Sequence, residues 1–138
     1  MSKQKTRFDG LDVLAMTSQL QRQLLGFKLV NIYDGSSGNN VLLFKLASTG
    51  TTTNTNTNTN ASSTVEATAI AAADSSSNNK KMLLMESGIR FHISAHESSN
   101  QKQPGQFAMK LRKHIRGSRL EGIRQLGSLD RVVDFRFG

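Results

Sequence analysis

GQFAMKLRKHIRGSRLEGIRQLGSLDRVVDFRFG, running from Gly105 to Gly138, decides the fold. Phe107, Leu111 and Ile115 recur at the spacing of one helix face, with Ala108 beside them. Lys110, Arg112, Lys113 and Arg116 fall on the opposite arc, and no acid interrupts the bases as far as Arg119. Gly117 is placed to end the helix. Leu120 to Leu126 then reads as a strand and Gly127 to Asp130 as a turn. Val133, Phe135 and Phe137 alternate with polar residues, the pattern of a half-buried final strand. The stretch therefore predicts a basic helix, an apolar face that holds it, and strands behind it.

Upstream, Asp9 to Leu25 predicts a first helix. Asp9 stands at the N-cap and Asp12 three residues later, a capping box with Asp in place of Glu. Val13, Met16, Leu20 and Leu24 share one face. Leu14 and Leu25 widen the apolar surface, which predicts cover on more than one side. Gly26 is a C-cap residue. Phe27–Tyr33 and Val41–Leu46 read as strands around GSSGNN, Gly35–Asn40, a hairpin-loop sequence. Met82–Met85 is a third strand, Ser87-Gly88 a turn, and Ile89, Phe91 and Ile93 mark a fourth strand. The order is helix, four strands, helix, two strands. It predicts an α+β domain with a mainly antiparallel sheet and two helices.

Between the second and third strands, Ser48 to Asn79 reads STGTTTNTNTNTNASSTVEATAIAAADSSSNN. It has no aromatic, Lys or Arg, and Val65 and Ile70 are its only branched aliphatic residues. Burial of so little apolar surface does not offset the entropy of ordering the chain. Residues 48–79 are therefore expected to be a disordered, low-complexity insertion. The apolar strand at Phe137-Gly138 has nothing after it, and the chain is expected to be truncated, a part of a longer protein.

The chain of 138 residues carries a formal charge of +8. The insertion holds Glu66 and Asp74 and no base, so the rest is more basic still. Such a balance points to nucleic acid, ahead of an anionic membrane. No apolar run approaches the roughly 20 residues of a membrane span, and no signal-peptide core follows the basic start MSKQKTRFDG. With no Trp, one Tyr and most of the seven Phe in core positions, stacking on single strands is disfavoured. Contact with the backbone of structured RNA is favoured. A helix whose bases are all of one sign is also poorly suited to be an inert surface, which mixes signs for support between successive turns. The candidates for RNA contact are Lys110, Arg112, Lys113, Arg116 and Arg119.

Catalysis finds no support in these residues. With no cysteine there is no thiolate zinc site. His92 and His96 have a helical ligand spacing, but His92 lies in an alternating strand and no third ligand is near in sequence. No phosphate-cradling glycine loop or nucleophile–base set is present. No enzyme activity, cofactor or metal is expected. Asp130-Arg131 reads as a turn acid with a strand-edge base, Asp12 as a helix-cap acid, and spacing does not link the two places.

The residues carry a resemblance as well. LDVLAMTSQLQRQLLGFKLVNIYD (Leu11–Asp34), VLLFKLA (Val41–Ala47), MLLMESGIRFHIS (Met82–Ser94) and PGQFAMKLRKHIRGSRLEGIRQLGSLDRVVDFRFG (Pro104–Gly138) together resemble the N-terminal domain of the NFACT family. The G-F-A-M-K-L-R-K-H piece, here with Gln106 after Gly105, and the D-R-[IV]-V pattern are its most specific parts. The resemblance covers nearly all of the chain except the insertion and the first residues. Residues 1–138 are then a partial NFACT N-terminal domain.

That resemblance implies binding to the large ribosomal subunit that retains a stalled peptidyl-tRNA, and handling of tRNA. It also implies support of C-terminal Ala/Thr tail addition to the stalled chain and of clearance by a listerin-type ubiquitin ligase. The ribosome performs the peptidyl transfer. Cytoplasmic, ribosome-associated localisation is implied, with the nucleus as a second compartment. The tail-elongation residues of the family fall, by motif, on Asp12, Asp130 and Arg131. The domain also resembles the N-terminal domain of formamidopyrimidine-DNA glycosylases, but Met1-Ser2-Lys3 lacks the proline amine and following Glu of their chemistry. Ligase recruitment is doubtful for a span that lacks the family's coiled-coil arm. The competing expectations are a generic basic RNA- or DNA-binding module without ribosomal specificity, and an inactive repair-enzyme relative.

Overall fold

The computed structural model describes residues 5–35, 40–49, 80–95 and 104–138. The insertion expected at 48–79 lies outside the described residues from residue 50 onward, as does His96. The elements run α1 (Gly10–Leu24), β1 (Lys28–Asp34), β2 (Val41–Ala47), β3 (Lys80–Glu86), β4 (Arg90–Ser94), α2 (Gln106–Ile115), β5 (Leu120–Gln125) and β6 (Val133–Phe137). This is the α+β order expected. β3 outruns its apolar run because Lys80 and Lys81 pair with Ala47 and Leu46, and Glu86 pairs with Val41.

α1 begins as its first residues dictate. Asp9 Oδ1 accepts from the amides of Leu11 and Asp12, each at 3.0 Å, and Asp12 Oδ2 accepts from the Asp9 amide at 2.9 Å. The box satisfies donors that the first turn would leave orphaned. Past the helix, Gly26 takes φ 84°, where a side chain is disfavoured, and its amide donates to the Leu120 carbonyl at 2.8 Å. The buried face is Val13, Thr17, Leu20 and Leu24. Among the described residues no cover on a second side is found: Leu11, Leu14 and Leu25 are exposed, because α1 turns one face only to the described core.

β1, β2, β3 and β4 form an antiparallel sheet in sequence order. Its register lines up Ile32, Phe44, Leu83 and Ile93 across all the strands, with Leu42, Met85 and Phe91 on the same face. The β5–β6 hairpin lies against this face. Phe137 stacks on Phe44 with ring centroids 6.4 Å apart, and Phe135 meets Phe91 edge-on at 6.1 Å. Leu20, Leu24, Leu29, Ile32, Leu83, Leu120 and Ile123 fill the space between. Each such burial contributes roughly 1.5–3 kcal/mol before ordering entropy is counted. Val133, Phe135 and Phe137 are half-buried in this core, and β6 pairs only with β5 among the described strands.

Candidate functional site

α2 lies beside β1, not over the face of the sheet. Asp34, the last residue of β1, accepts through Oδ2 from the Gly105 amide at the helix start. An acid here complements a helix whose own first turn has none. Arg112 Nε donates to the Ile32 carbonyl at 2.6 Å, and Arg116 Nε to the Val30 carbonyl at 3.1 Å. Just beyond, the Gly117 amide donates to Leu29, and the Leu29 amide donates to Ser118, both at 2.8 Å. α2 and its exit thus occupy the outer edge of β1, where unpaired backbone groups would otherwise invite another strand.

That placement changes which residues of the basic helix are available. Ala108 is buried and Leu111 and Ile115 are half-buried. Phe107, expected on the same apolar stripe, is 62% exposed, because the contact with a strand edge is narrower than a contact with a sheet face. Arg112 and Arg116 are engaged with β1, and the Arg112 guanidinium also lies over the Tyr33 ring, 5.3 Å from its centroid. Arg119 donates to Thr49 Oγ1 at 3.3 Å. Lys110 and Lys113 stand exposed.

Asp12 sits in the first turn of α1, where Lys5 Nζ pairs with it and with Asp9. The Lys5 ammonium and then the Asp12 amide hold the Asp9 carboxyl down, from 3.8 to about 2. Reciprocally, Asp12 and then Asp9 push the Lys5 ammonium up. Asp130 and Arg131 lie in the turn that joins β5 to β6. Asp130 Oδ1 accepts from the Arg131 amide at 2.7 Å, and the Arg131 guanidinium donates through Nη2 to the Gly88 carbonyl in the β3–β4 turn.

Spacing does not connect Asp12 to Asp130-Arg131, but the fold does connect the backbone segments that carry them. The side-chain amide of Gln125, at the end of β5, donates to the Gly10 carbonyl at 3.0 Å and also to the Asp130 carbonyl. Leu129 packs against Gly10 so closely that a Cβ on Gly10 would lie 2.0 Å from the Leu129 carbonyl oxygen. The Phe8 amide donates to Ile89 at 2.8 Å and ties the chain before α1 to the β3–β4 turn. Three segments therefore meet at one end of the domain. A cavity of about 320 Å³ opens there, lined in part by Phe8, Phe91, Phe107, Phe135 and Arg131. Nothing in the sequence marks Gln125, since one polar residue at a strand end carries no distinguishing pattern.

Among the described residues no group of His, Asp or Glu is arranged to hold a metal ion. None of their helices is long and apolar enough to cross a membrane.

The comparisons agree with the resemblance seen in the sequence. The chain is similar to the N-terminal region of solved bacterial proteins. One is the N-terminal part of the fibronectin/fibrinogen-binding protein of Streptococcus suis, with a TM-score of 0.65 at 22% identity, covering 94% of this chain and 38% of that one. At that identity the likeness shows the fold alone. The chain is 36% identical over 134 residues to the ribosome quality control complex subunit NEMF homolog of Drosophila melanogaster, covering 97% of this chain and 10% of the relative. It is 31% identical over the same length to ribosome quality control complex subunit 2 of Schizosaccharomyces pombe, again covering 10% of it. The chain thus spans about a tenth of the length of these curated relatives. The family model for the NFACT N-terminal and middle domains matches residues 66–138, more than half of the chain, and the chain belongs to the NFACT family.

Proposed function

We propose that this chain is a tRNA-handling part of a ribosome-associated quality-control factor. In this reading it binds, in the cytoplasm, the large ribosomal subunit that retains a stalled peptidyl-tRNA, and it supports C-terminal Ala/Thr tail addition. The observation that carries the reading is the joining, through Gln125, of the turn that bears Asp12 to the turn that bears Asp130 and Arg131. It is supported by the names of the relatives, ribosome quality control complex subunits in a fly and a fission yeast.

The chemistry fits positioning better than bond-making. Arg131 brings a planar fork suited to a phosphate, and one of its nitrogens is fixed on the Gly88 carbonyl. Exposed Lys110 and Lys113 supply phosphate contacts that add affinity without reading sequence. Tail addition needs no catalyst from this chain, because the ribosome forms the peptide bonds.

The test is sedimentation of the chain with purified large subunits that carry peptidyl-tRNA, with empty large subunits, and with bulk RNA. Preference for the first is expected. Equal binding to all three would sink the quality-control reading and leave a generic basic nucleic-acid module, which the formal charge of +8 alone would explain.

A further inference from the structure

We infer that Gln125 is a positioning residue that makes one unit of Asp12, Asp130 and Arg131; the functional part of this inference rests on the proposed role of those residues toward tRNA. A glutamine amide nitrogen has two hydrogens. Here they serve two backbone carbonyls far apart in sequence, Gly10 at the start of α1 and Asp130 in the β5–β6 turn. The Gln125 backbone is itself fixed by pairing with Val133 across the hairpin. Its side chain therefore projects from a rigid base to two segments that each carry a site residue.

Packing alone does not hold that turn. Leu126, Leu129 and Val132, its large apolar residues, are 38%, 53% and 51% exposed. The contribution of buried apolar surface, which dominates in the sheet, is therefore small here, and hydrogen bonds decide where the turn sits. The bond from the Leu126 amide to Val132 closes its neck, and the bond from Arg131 to Gly88 ties it to the sheet. Among the described side chains, Gln125 is the one that bonds both to this turn and to α1. Loss of its donors would leave the Asp130 carbonyl to seek another partner and the Gly10 carbonyl with its helical bond alone, and would let the turn drift from the helix.

The experiment compares Gln125→Met, Arg131→Ala and the double variant in the full chain. Methionine keeps the length and bulk of glutamine and removes its donors without adding charge. Deacylated tRNA is the probe, with affinity read by fluorescence anisotropy and turn geometry by backbone amide resonances. Gln125→Met is expected to shift the amides of Asp12, Asp130 and Arg131, with those of Leu83 and Ile93 unmoved. It should lower tRNA affinity by about as many fold as Arg131→Ala, and the double variant should be little worse than either, since coupled residues are not additive. Parent-like affinity for Gln125→Met while Arg131→Ala loses affinity would overturn the inference. If Arg131→Ala itself keeps the parent affinity, it is the tRNA reading that fails. Unmoved amides at Asp12, Asp130 and Arg131 would overturn the coupling in either case. Should Gln125→Met fail to fold, Gln125→Glu keeps the side-chain length with acceptors only and is judged on the same outcomes.

Discussion

Arg112 donates its Nε to the carbonyl of Ile32 at 2.6 Å, from the middle of a helix to the outer edge of a strand. Two of the bases that make α2 conspicuous thereby have a structural role, since Arg116 does the same at Val30. A charge-assisted bond to a half-buried carbonyl is stronger than a surface ion pair. Arg112→Ala is expected to cost about 1–2 kcal/mol of stability, reduced from the upper range by its partial exposure. Lys113→Ala should change stability by less than about 0.5 kcal/mol. Urea denaturation of the two variants checks the contrast, and equal midpoints would remove Arg112 from the seal on β1.

The same division sorts the RNA candidates. Replacement of Lys110 and Lys113 together by Ala should weaken RNA binding and lower the magnitude of the log–log salt slope by about 1–2, with the urea midpoint unchanged. Arg112 and Arg116 are poorer probes, because their loss also disturbs the edge of β1. An unchanged salt slope for the lysine pair would place RNA contact elsewhere.

These contrasts show how far sequence carries. The Asp9–Asp12 capping box, Gly26, Gly117 and the alternation of Val133, Phe135 and Phe137 are local signals, and each formed where its chemistry requires. Phe107 misled because periodicity finds an apolar arc without revealing how wide its contact is; an edge-on strand covers less of a helix than a sheet face does. Arg112 looked solvent-facing because the carbonyl of Ile32, eighty positions away, leaves no mark near it. The connection through Gln125 was hidden for the same reason. It joins Gly10 to Asp130 over most of the chain, and hydrogen bonds to backbone carbonyls place no demand on the identity of the accepting residue.

The Lys5–Asp9–Asp12 cluster predicts an acid response. The folded-state carboxyl of Asp9 titrates below its ordinary value, held down first by Lys5 and then by the Asp12 amide. Its contribution to stability is therefore complete above about pH 4 and is lost as pH falls toward about 2. Asp9→Asn keeps an N-cap acceptor but removes the titration. Urea midpoints measured from neutral to strongly acid pH should fall less steeply for Asp9→Asn than for the parent over that interval. Parallel curves would show that Asp9 is not among the groups linked to folding.

Thr17 is buried at 4% exposure, and its Oγ1 has no hydrogen-bond partner among the described residues. Thr17→Val keeps the branched shape and removes an unsatisfied hydroxyl. Stabilisation by about 1 kcal/mol is expected, read as a raised urea midpoint at unchanged slope. Destabilisation would reveal a partner for the hydroxyl in solution.

Gly10 and Leu129 offer a way to move the Asp130-Arg131 turn without touching Gln125. A Cβ at Gly10 would meet the Leu129 carbonyl oxygen at 2.0 Å, a backbone atom that no side-chain rotation can withdraw. Leu129 already holds φ 62°, a left-handed conformation that costs a non-glycine residue about 1–2 kcal/mol. Gly10→Ala must therefore displace the turn, and a loss of about 1–3 kcal/mol is expected, in the range of other overpacked contacts. Leu129→Gly relieves the left-handed conformation but adds freedom to the unfolded chain, for a net gain of roughly 0.5 kcal/mol. It should also soften the turn enough to lessen the cost of Gly10→Ala in the double variant. Thermal or urea unfolding of the two single variants and the double one measures this coupling directly. Strict additivity would mean that the turn and the start of α1 move independently.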